Sequence, residues 1–384
     1  MTKFLNDRDV RRWIAQIATL AALLAVVWFF VGNARENMTK AGIATGFGFL
    51  NITTGLDEPF KLIDYGPQST YARLLLVGVL NTLLISAVGI FFATILGFGL
   101  GVARLSKNWL LSRVAGAYVE FVRNIPLLLF VFYWYFGVLA SLPNPRGSWS
   151  LFDLFYLNNR GLALPSPNDA TPFVAAGVAL AIGLFGAFLA ARFGRRRQAD
   201  TGQPFPYLTV WLLGGIALPL LAGVGGGTQV GWDIPRLGGF NVAGGVKVTP
   251  EFVALLGALV TYTAGFIAEV VRGGILSVTK GQREAAAALG LRQSLALRLV
   301  VIPQAMRVIV PPMTNQYLNL VKNSTFGQVI AFPELFKVLA GTTFNQVGQA
   351  IEIMFMLLSI YLAISLAVSA LMNWYNKKIA LVTR

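Results

Sequence analysis

The chain has 384 residues, of which 56% are hydrophobic and only 12% are charged, with a formal net charge of +15. Soluble domains are about a quarter charged, so this deficit and several long apolar runs indicate an integral membrane protein. The absence of cysteine and histidine excludes disulfides, metal sites built from these residues, and serine–histidine or cysteine–histidine nucleophile pairs.

Eight apolar segments approach or exceed the length of about 20 residues that crosses a membrane, so eight spanning helices are predicted. The first, 13–31, is charged at its start and lacks a small-residue cleavage site, so we interpret it as a retained anchor rather than a signal peptide. Pro126 lies inside the third, and Pro311 and Pro312 are expected to break the seventh. The other seven segments are 74–103, 115–142, 173–191, 207–224, 252–271, 305–330 and 351–374.

The lysine and arginine residues orient these helices. With the amino terminus in the cytoplasm, 20 of them fall in segments assigned to the cytoplasm and 9 in segments assigned outside, as the positive-inside rule favours. Both termini are then cytoplasmic. The net charge therefore indicates membrane topology rather than nucleic-acid binding. Four arginines after the fourth span are interpreted as a stop at the inner face: Arg192, Arg195, Arg196 and Arg197.

The loops at 143–172 and 225–250 are rich in proline, glycine and asparagine and are predicted to lie outside the cytoplasm. Spans four and five form a hairpin between them, which we interpret as a peripheral insertion. The predicted organisation is an anchor and outer loop at 1–72, a first core part at 73–142, the loops with the inserted hairpin at 143–250, a second core part at 251–375, and a cytoplasmic tail at 376–384.

The segment 281–306 is too short and too interrupted to cross a membrane. Its alanines favour a helix, Glu284 is predicted in the first turn, where negative charge suits the helix dipole, and Gly290 can end that helix in the left-handed conformation. A second short helix is expected from Ser294, as its cap, to the residue before Pro303.

The residues alone leave two interpretations of this segment open. It is either a cytoplasmic elbow approached by another protein, or an amphipathic turn that lies on the lipid surface. Small side chains would permit the close approach of a partner: Ala285, Ala286 and Ala287.

The spacing of this segment resembles that of a known family. Glu284-Ala285-Ala286, three residues, Gly290, nine residues and then Val300-Val301-Ile302-Pro303 is similar to the E-A-A-x3-G-x9-I-x-L-P loop of ABC importer permeases. In that family the loop is a coupling helix that docks on a cytoplasmic ATPase subunit. The resemblance implies ATPase contacts by Glu284, Ala285, Ala286, Ala287, Leu289, Gly290 and Leu291.

Further runs resemble the polar amino-acid permeases of this family. They are Glu269-Val270-Val271-Arg272-Gly273-Gly274 leading to Gly281-Gln282, Tyr118 to Pro126, and Asn81-Thr82-Leu83. The resemblance covers residues 70–142 and 250–375. The enlarged layout is similar to the general L-amino-acid permease subunits of Gram-negative bacteria, in which two different permease chains pair.

This resemblance implies an all-α integral membrane protein with the type I ABC importer fold, about eight transmembrane helices, and a place in the bacterial inner membrane. It also implies a transmembrane permease subunit that imports polar L-amino acids from periplasm to cytoplasm by alternating access. The implied partners, besides lipid, are a second permease subunit, an ATP-binding-cassette ATPase dimer that binds ATP and magnesium, and a periplasmic amino-acid-binding protein.

Two charged pairs are predicted near the ends of spans. Glu120 and Arg123 are three residues apart, as are Glu269 and Arg272, so each pair shares a helix face. Charge at membrane depth is costly and faces protein or water. Each pair is interpreted either as a structural pair that neutralises itself and fixes a helix end, or as a gate or a relay of movement from the segment 281–306.

The seventh span carries a polar stripe within an arc of about 120°. It contains Asn315, Gln316, Asn319, Lys322 and Asn323. One interpretation is a substrate pathway, with amides for an α-amino and α-carboxylate group and Lys322 for a carboxylate; the other is hydrogen bonding between helices across a permease dimer. Asn81 and Thr82 are further candidates for the pathway.

A phosphate-cradling G-x-x-x-x-G-K-[ST] sequence is absent, and the glycine-rich stretch 223–228 lacks the lysine. We therefore expect no cofactor site in this chain and ATP hydrolysis by a separate one. The alternative functions are a stand-alone secondary transporter or channel, a membrane enzyme and a scaffold. The acidic residues near the spans, Glu120, Glu269 and Glu352, lie near predicted ends, which disfavours coupling to an ion deep in the bilayer.

Overall fold

The computed structural model describes residues 8–40, 42, 45–169, 171–224 and 231–379. Of the predicted features, residues 380–384 of the tail and residues 225–228 of the glycine-rich stretch lie outside this range, as do the first seven residues. The described residues form two compact units. The first is drawn from Met1–Trp134 and Ala254–Arg384, and the second from Tyr135–Val253.

Helices dominate both units, as predicted. In chain order they are α1 (Arg8–Lys40), α2 (Tyr71–Ala103), α3 (Trp109–Asn124), α4 (Leu127–Phe132), α5 (Thr171–Thr201), α6 (Tyr207–Leu212), α7 (Leu218–Val224), α8 (Pro250–Leu276), α9 (Lys280–Ala288), α10 (Gln293–Ala296), α11 (Ile302–Asn323), α12 (Phe344–Val347) and α13 (Ala350–Ile379). Turns of 3₁₀ or π type extend or join them at Gly48–Asn51, Tyr133–Leu139, Pro145–Gly147, Leu213–Ala217, Leu297–Val301, Ser324–Ile330 and Lys337–Thr343.

The predicted count of eight spans is not confirmed. Within the described ranges, six helices are long and apolar enough to cross a membrane: Arg11–Ala34, Tyr71–Ala103, Thr171–Gly194, Pro250–Leu276, Gln293–Ile330 and Ala350–Ile379. A seventh exists only if the bent pair Trp109–Asn124 and Leu127–Leu139 counts as one span. The predicted fifth span corresponds to the shorter apolar helix Tyr207–Gly223.

The predicted third span, 115–142, is broken rather than continuous. Its two halves meet at 110°. Ile125 has extended backbone at φ −109° and ψ 135°, because the ring of Pro126 disfavours the helical region for the residue before it. Pro126 then precedes α4 as its cap residue. The proline therefore turns the chain sharply at this point.

The predicted break of the seventh span at Pro311 and Pro312 is wrong. Both prolines lie inside α11, which continues through them. Each removes one backbone donor, but helices in membrane proteins tolerate proline because neighbouring groups satisfy the freed carbonyls. The helical run therefore extends without a break from Gln293 to Ile330.

Glycines let α2 pack closely on α8. A Cβ atom at Gly97 would lie 2.5 Å from Cγ2 of Ile267, and one at Gly101 would lie 2.8 Å from the carbonyl oxygen of Ala268. These two glycines are four residues apart and share one helix face. Small residues at this spacing allow two membrane helices to approach backbone to backbone.

Two glycines of α8 allow α3 and α11 to approach it equally closely. A Cβ atom at Gly265 would meet Val122 of α3 at 2.9 Å, and one at Gly274 would meet Ile309 of α11 at 2.3 Å. Helix α8 therefore lies in direct contact with α2, α3 and α11. Its position determines how the polar residues of those helices meet.

The second unit contains short strands that the sequence did not predict. They are β1 (Trp149–Leu151), β2 (Phe155–Asn158), β3 (Gly161–Leu164), β4 (Ser166–Pro167), β5 (Trp232–Asp233), β6 (Arg236–Gly238), β7 (Asn241–Ala243) and β8 (Val246–Val248). Four form an antiparallel sheet in the order β1-β2-β3-β8, and the others pair as β4-β5 and β6-β7. In the same unit α5 packs on the helical run from α6 to α7, and a Cβ atom at Gly183 would lie 2.0 Å from the carbonyl oxygen of Gly214.

We expect Gly97→Leu to destabilise the protein by about 1–3 kcal/mol or more, because the added side chain overlaps Ile267 and forces α2 away from α8. Gly99→Leu is the matched control, since a Cβ atom at Gly99 meets nothing within 4 Å. Thermal unfolding in detergent measures both variants. An equal loss in the two would contradict the packing described for α2.

Candidate functional site

A polar cavity of about 240 Å³ lies between α8 and α11. Six side chains line it: Tyr262, Thr263, Phe266, Gln316, Asn319 and Asn323. The three from α11 follow a spacing of three and four residues and so share one helix face. Part of the predicted polar stripe therefore borders a cavity together with residues of α8 that the sequence did not single out.

An adjacent face of α11 packs on α2. Leu320 is fully buried and contacts the position of Gly89, where a Cβ atom would lie 3.2 Å from Cδ2 of the leucine. The hydroxyl groups of Tyr317 and Thr94 are hydrogen-bonded at 2.9 Å. This face is used for helix packing, which leaves the amide face for the cavity.

The chemistry of the cavity is that of neutral hydrogen-bonding groups. Gln316, Asn319 and Asn323 each supply an amide oxygen that accepts and an amide nitrogen that donates, and Thr263 adds a hydroxyl group. Two aromatic rings, from Tyr262 and Phe266, complete the walls. None of the six lining side chains is charged at neutral pH. Such a lining suits a small zwitterion. Its positive group can donate charge-assisted hydrogen bonds to the amide oxygens, and its negative group can accept them from the amide N–H and hydroxyl groups.

Asn315 and Lys322 do not line this cavity. Both side chains are exposed and, seven residues apart, lie on a neighbouring face of α11. Because lipid satisfies neither an amide nor an ammonium group, this face needs protein or water beside it.

Asn81 and Thr82 lie outside the cavity and bind backbone groups. The Asn81 amide donates to the carbonyl oxygens of Phe60, at 3.0 Å, and Pro333, at 2.9 Å. The hydroxyl oxygen of Thr82 accepts from the Leu335 N–H at 3.0 Å. Both side chains are fully buried. These contacts hold α2 against the loop before residue 337, and a place for Asn81 and Thr82 on a substrate pathway stays a prediction.

Glu269 is the centre of a charged cluster formed by three helices. Its carboxylate pairs with Arg272 at 3.1 Å on the same helix, with Arg123 of α3 at 3.4 Å, and with Arg104 at the end of α2. The side chain of Arg104 is only 12% exposed. We call these four residues the arginine cluster.

The predicted pair of Glu120 and Arg123 does not form. Glu120 is exposed and makes no ion pair in the described part of the chain, whereas Arg123 turns to Glu269 and also lies 5.8 Å from the ring centroid of Phe266. A less exposed carboxylate on a packed neighbour outcompetes an exposed one on the same helix, since solvent screens the exposed pair.

The segment predicted as an elbow consists of α9, the turn at Gly290 and the start of the next helical run, and we call it the elbow. Gly290 has φ +70°, the left-handed conformation predicted for it. The Leu291 N–H donates to the Ala286 carbonyl at 3.1 Å, and the Gly290 N–H donates to the Ala287 carbonyl at 2.9 Å. These two bonds form the Schellman motif that satisfies the last carbonyls of a helix.

Several details of the elbow differ from the prediction. Helix α9 begins at Lys280, so Glu284 lies in the second turn and not the first. The second helix is capped by Arg292 rather than Ser294 and continues through Pro303, which lies in the first turn of α11. Pro303 follows closely on the π-type turn at Leu297–Val301, so it lies within the continuous run and leaves one carbonyl of that turn without its helical donor.

The outer surface of the elbow combines small and apolar side chains with charged and polar ones. Glu284, Ala285 and Ala287 are exposed, and the side chain of Leu289 is 80% exposed. Ala286 is instead buried, because it lies on the opposite face of α9. The elbow presents one exposed leucine beside small residues.

Glu334 is a buried acid that the sequence analysis missed. It lies in the loop between two spans and is fully buried. Its carboxylate accepts from the backbone N–H groups of Phe336 and Lys337, both at 2.7 Å, and from the Tyr361 hydroxyl at 3.0 Å. Burial raises the pKa of Glu334 to about 7. The sequence signal that could have identified Glu334 is its position directly before a helix, where an acid can accept hydrogen bonds from the free backbone N–H groups of the first turn.

An ion pair lies next to Glu334. The Lys337 ammonium donates to both carboxylate oxygens of Glu58, at 2.6 and 2.7 Å, and Glu58 is only 4% exposed. This pair joins the loop before α2 to the segment before α13. Glu334, Glu58 and Lys337 thus form a polar lock among otherwise apolar residues.

Comparison with known proteins places this geometry in context. Residues 89–381 match the family described as binding-protein-dependent transport system inner membrane component. The chain is 50% identical over 380 residues to the general L-amino acid transport system permease protein AapQ of Rhizobium johnstonii, covering 98% of this chain and 94% of that one. It is 47% identical over 384 residues to the putative amino-acid ABC transporter permease protein YhdX of Escherichia coli, covering 98% and 95%.

A third relative is similar over the whole chain. It is the glutamate/glutamine/aspartate/asparagine transport system permease protein BztB of Rhodobacter capsulatus, 38% identical over 417 residues that cover 100% of this chain and 97% of that one. The similarity therefore includes the second unit as well as the first.

We expect Glu334→Gln to flatten the dependence of stability on pH. A folded-state pKa of about 7 lies above the unfolded value of 4.5, so the folded state binds the extra proton between these values and its stability falls as pH rises through that window. Glutamine cannot titrate, while Glu58, Lys337 and Tyr361 remain. The melting temperature in detergent at pH 5 and pH 8 measures the difference, expected on the order of a few degrees.

The exposed Glu284→Gln is the control and should keep the pH dependence of the unmodified protein. If Glu334→Gln keeps it as well, the buried proton is not at Glu334.

Proposed function

The chain belongs to the binding-protein-dependent transport system inner membrane components, and from this premise we propose that it is the permease subunit of an ATP-driven importer of polar L-amino acids. The observation that carries the proposal is the neutral, amide-lined cavity between α8 and α11. Amides and a hydroxyl group can meet both the α-ammonium and the α-carboxylate of an amino acid. Gln316, Asn319 and Asn323 are the proposed contacts.

The elbow is the proposed contact with the ATPase. Its exposed leucine and small neighbours offer an apolar contact that a second protein can cover, which a solvated turn does not need. The residues proposed to meet the ATPase are Glu284, Ala285, Ala287, Leu289, Gly290 and Leu291. Ala286 supports the elbow from its buried side. ATP and magnesium bind to the partner ATPase in this proposal.

The helix after the elbow connects it to the cavity. The run from Gln293 to Ile330 is unbroken, and it carries the three cavity amides. A displacement of the elbow therefore moves one wall of the cavity relative to α8. Alternating access follows if the ATPase binds two positions of the elbow with different affinity.

One polar surface supports a second permease subunit. Asn315 and Lys322 are exposed on α11 and need a partner other than lipid. A second permease chain, different in sequence, would cover the polar face and leave the amides toward the pathway. A periplasmic amino-acid-binding protein completes the proposed assembly on the outer side.

A stand-alone secondary transporter is the second candidate, and one observation favours it. Glu334 is a buried acid with a pKa near 7, the kind of group that proton coupling requires. It does not line the cavity, however, and the elbow has no role in such a protein. Uptake of amino acids into liposomes that lack the ATPase would favour this candidate over the first.

Gly290→Val should uncouple the ATPase from transport. A β-branched residue is strained at φ +70°, so the turn that shapes the elbow is lost. We expect at least a tenfold fall in substrate-stimulated ATP hydrolysis and weaker co-purification of the ATPase. The control is Gly281→Val in α9, where φ is not positive and a Cβ atom meets nothing within 4 Å. Equal effects of the two would reject the coupling role.

Gln316→Met should lower amino-acid uptake by about tenfold or more, because it removes an amide from the cavity while keeping side-chain length, and one hydrogen bond to a charged group contributes about 1.5–3 kcal/mol. Asn315→Leu, on the neighbouring face, should leave uptake closer to normal once assembly with the second subunit is verified. Initial rates of amino-acid uptake in proteoliposomes measure the effect of both substitutions. A larger loss from Asn315→Leu in a fully assembled complex would move the pathway to the other face of α11.

A further inference from the structure

The arginine cluster is positively charged overall. Three guanidinium groups surround one carboxylate, that of Glu269. Two other acids lie on the elements packed here. Glu120, one turn from Arg123 on α3, is exposed without an ion pair to this cluster, and Glu251 lies at the opposite end of α8, where it accepts a hydrogen bond from Tyr135. The cluster therefore keeps positive charge beyond what its acid neutralises.

Within the cluster, Arg123 makes the weakest ion pair with Glu269. Its contact is the longest, at 3.4 Å, and its side chain is 44% exposed, whereas Arg104 binds the same oxygen closely and is 12% exposed. Arg272 is fixed by its own helix to the other oxygen of Glu269. Arg123 is thus free to bind a second anion without breaking the cluster.

Arg123 also lies next to the cavity. Its guanidinium carbon is 5.8 Å from the ring centroid of Phe266, and Phe266 is one of the six lining residues. Glu269 follows Phe266 by three residues on α8, toward the end that leads to the elbow. The cluster therefore lies at the cytoplasmic end of the cavity.

We propose that Arg123 selects cargo by charge, receiving the carboxylate of an amino acid as it leaves the cavity toward the cytoplasm. This inference rests on the function proposed above. The neutral lining of the cavity binds amino acids without discriminating their net charge. A guanidinium group binds a carboxylate through two parallel hydrogen bonds, and it repels a cationic side chain. The favoured substrates are amino acids with acidic side chains, then neutral ones, and basic ones are slowed.

The test uses the complete importer, with its second permease subunit, ATPase and binding protein, in proteoliposomes. Initial uptake of glutamate and glutamine is measured, since the two have nearly the same shape and differ by one negative charge. In Arg123→Gln we expect the ratio of glutamate to glutamine uptake to fall about tenfold. If the binding protein also delivers arginine, its uptake relative to glutamate should rise.

Arg104→Gln is the matched control, because it removes the same charge from the same carboxylate while the cation–π contact with Phe266 belongs to Arg123. It should change both rates by the same factor and leave their ratio unaltered. Arg123→Lys keeps the charge without the paired donors and should give an intermediate ratio; it also decides the question if Arg123→Gln does not assemble.

An unchanged ratio in the Arg123 variants, or an equal shift in Arg104→Gln, would overturn the inference while leaving the proposed function intact. If instead the complete, unmodified importer takes up no amino acid, the proposed function itself fails.

Discussion

The hydrocarbon core of a membrane offers no hydrogen bond to a polar group, and the polar side chains of the first unit lie where this constraint requires. Asn81 and Thr82 bind backbone groups, and Tyr317 binds Thr94. Glu269 is surrounded by arginines. The cavity amides, by contrast, border open space. Polar residues left over when packing is complete are available for a ligand, as in the cavity, or for a second protein, as at Asn315 and Lys322.

Helix α8 brings these groups together because glycines let it approach its neighbours. Gly97 and Gly101 of α2 draw Arg104, just beyond them, toward Glu269, while Gly265 against Val122 does the same for Arg123. Desolvating a carboxylate is costly, and one arginine often does no more than offset that cost. Glu269 is half-buried and pairs with three arginines, which is more than the one needed to offset the cost of desolvating it. The surplus of positive charge therefore points to a role beyond holding the helices.

The sequence predicted features that depend on neighbours along the chain. The apolar runs, the left-handed Gly290 and the spacing from Glu284 to Pro303 are local patterns, and the elbow follows from them. The partner of Arg123, the burial of Ala286 and the contacts of Asn81 depend on residues far away in the sequence, so periodicity could not supply them. The predicted helix break at Pro311 and Pro312 is wrong for a related reason. A proline breaks an isolated helix, but a helix packed among neighbours tolerates it.

The long helical run is bounded by two places where the backbone leaves the helix. At one end Leu291 and Arg292 follow the Gly290 turn, and at the other Ala331 has φ +61°, just before the polar lock at Glu334. Between them the chain is helical, including the π-type turn at Leu297–Val301, so the run carries a movement of the elbow to the cavity. Gln316, Asn319 and Asn323 lie beyond that turn and move together. In the proposed transport cycle these amides shift relative to Phe266 on α8, the ring whose centroid lies 5.8 Å from the Arg123 guanidinium.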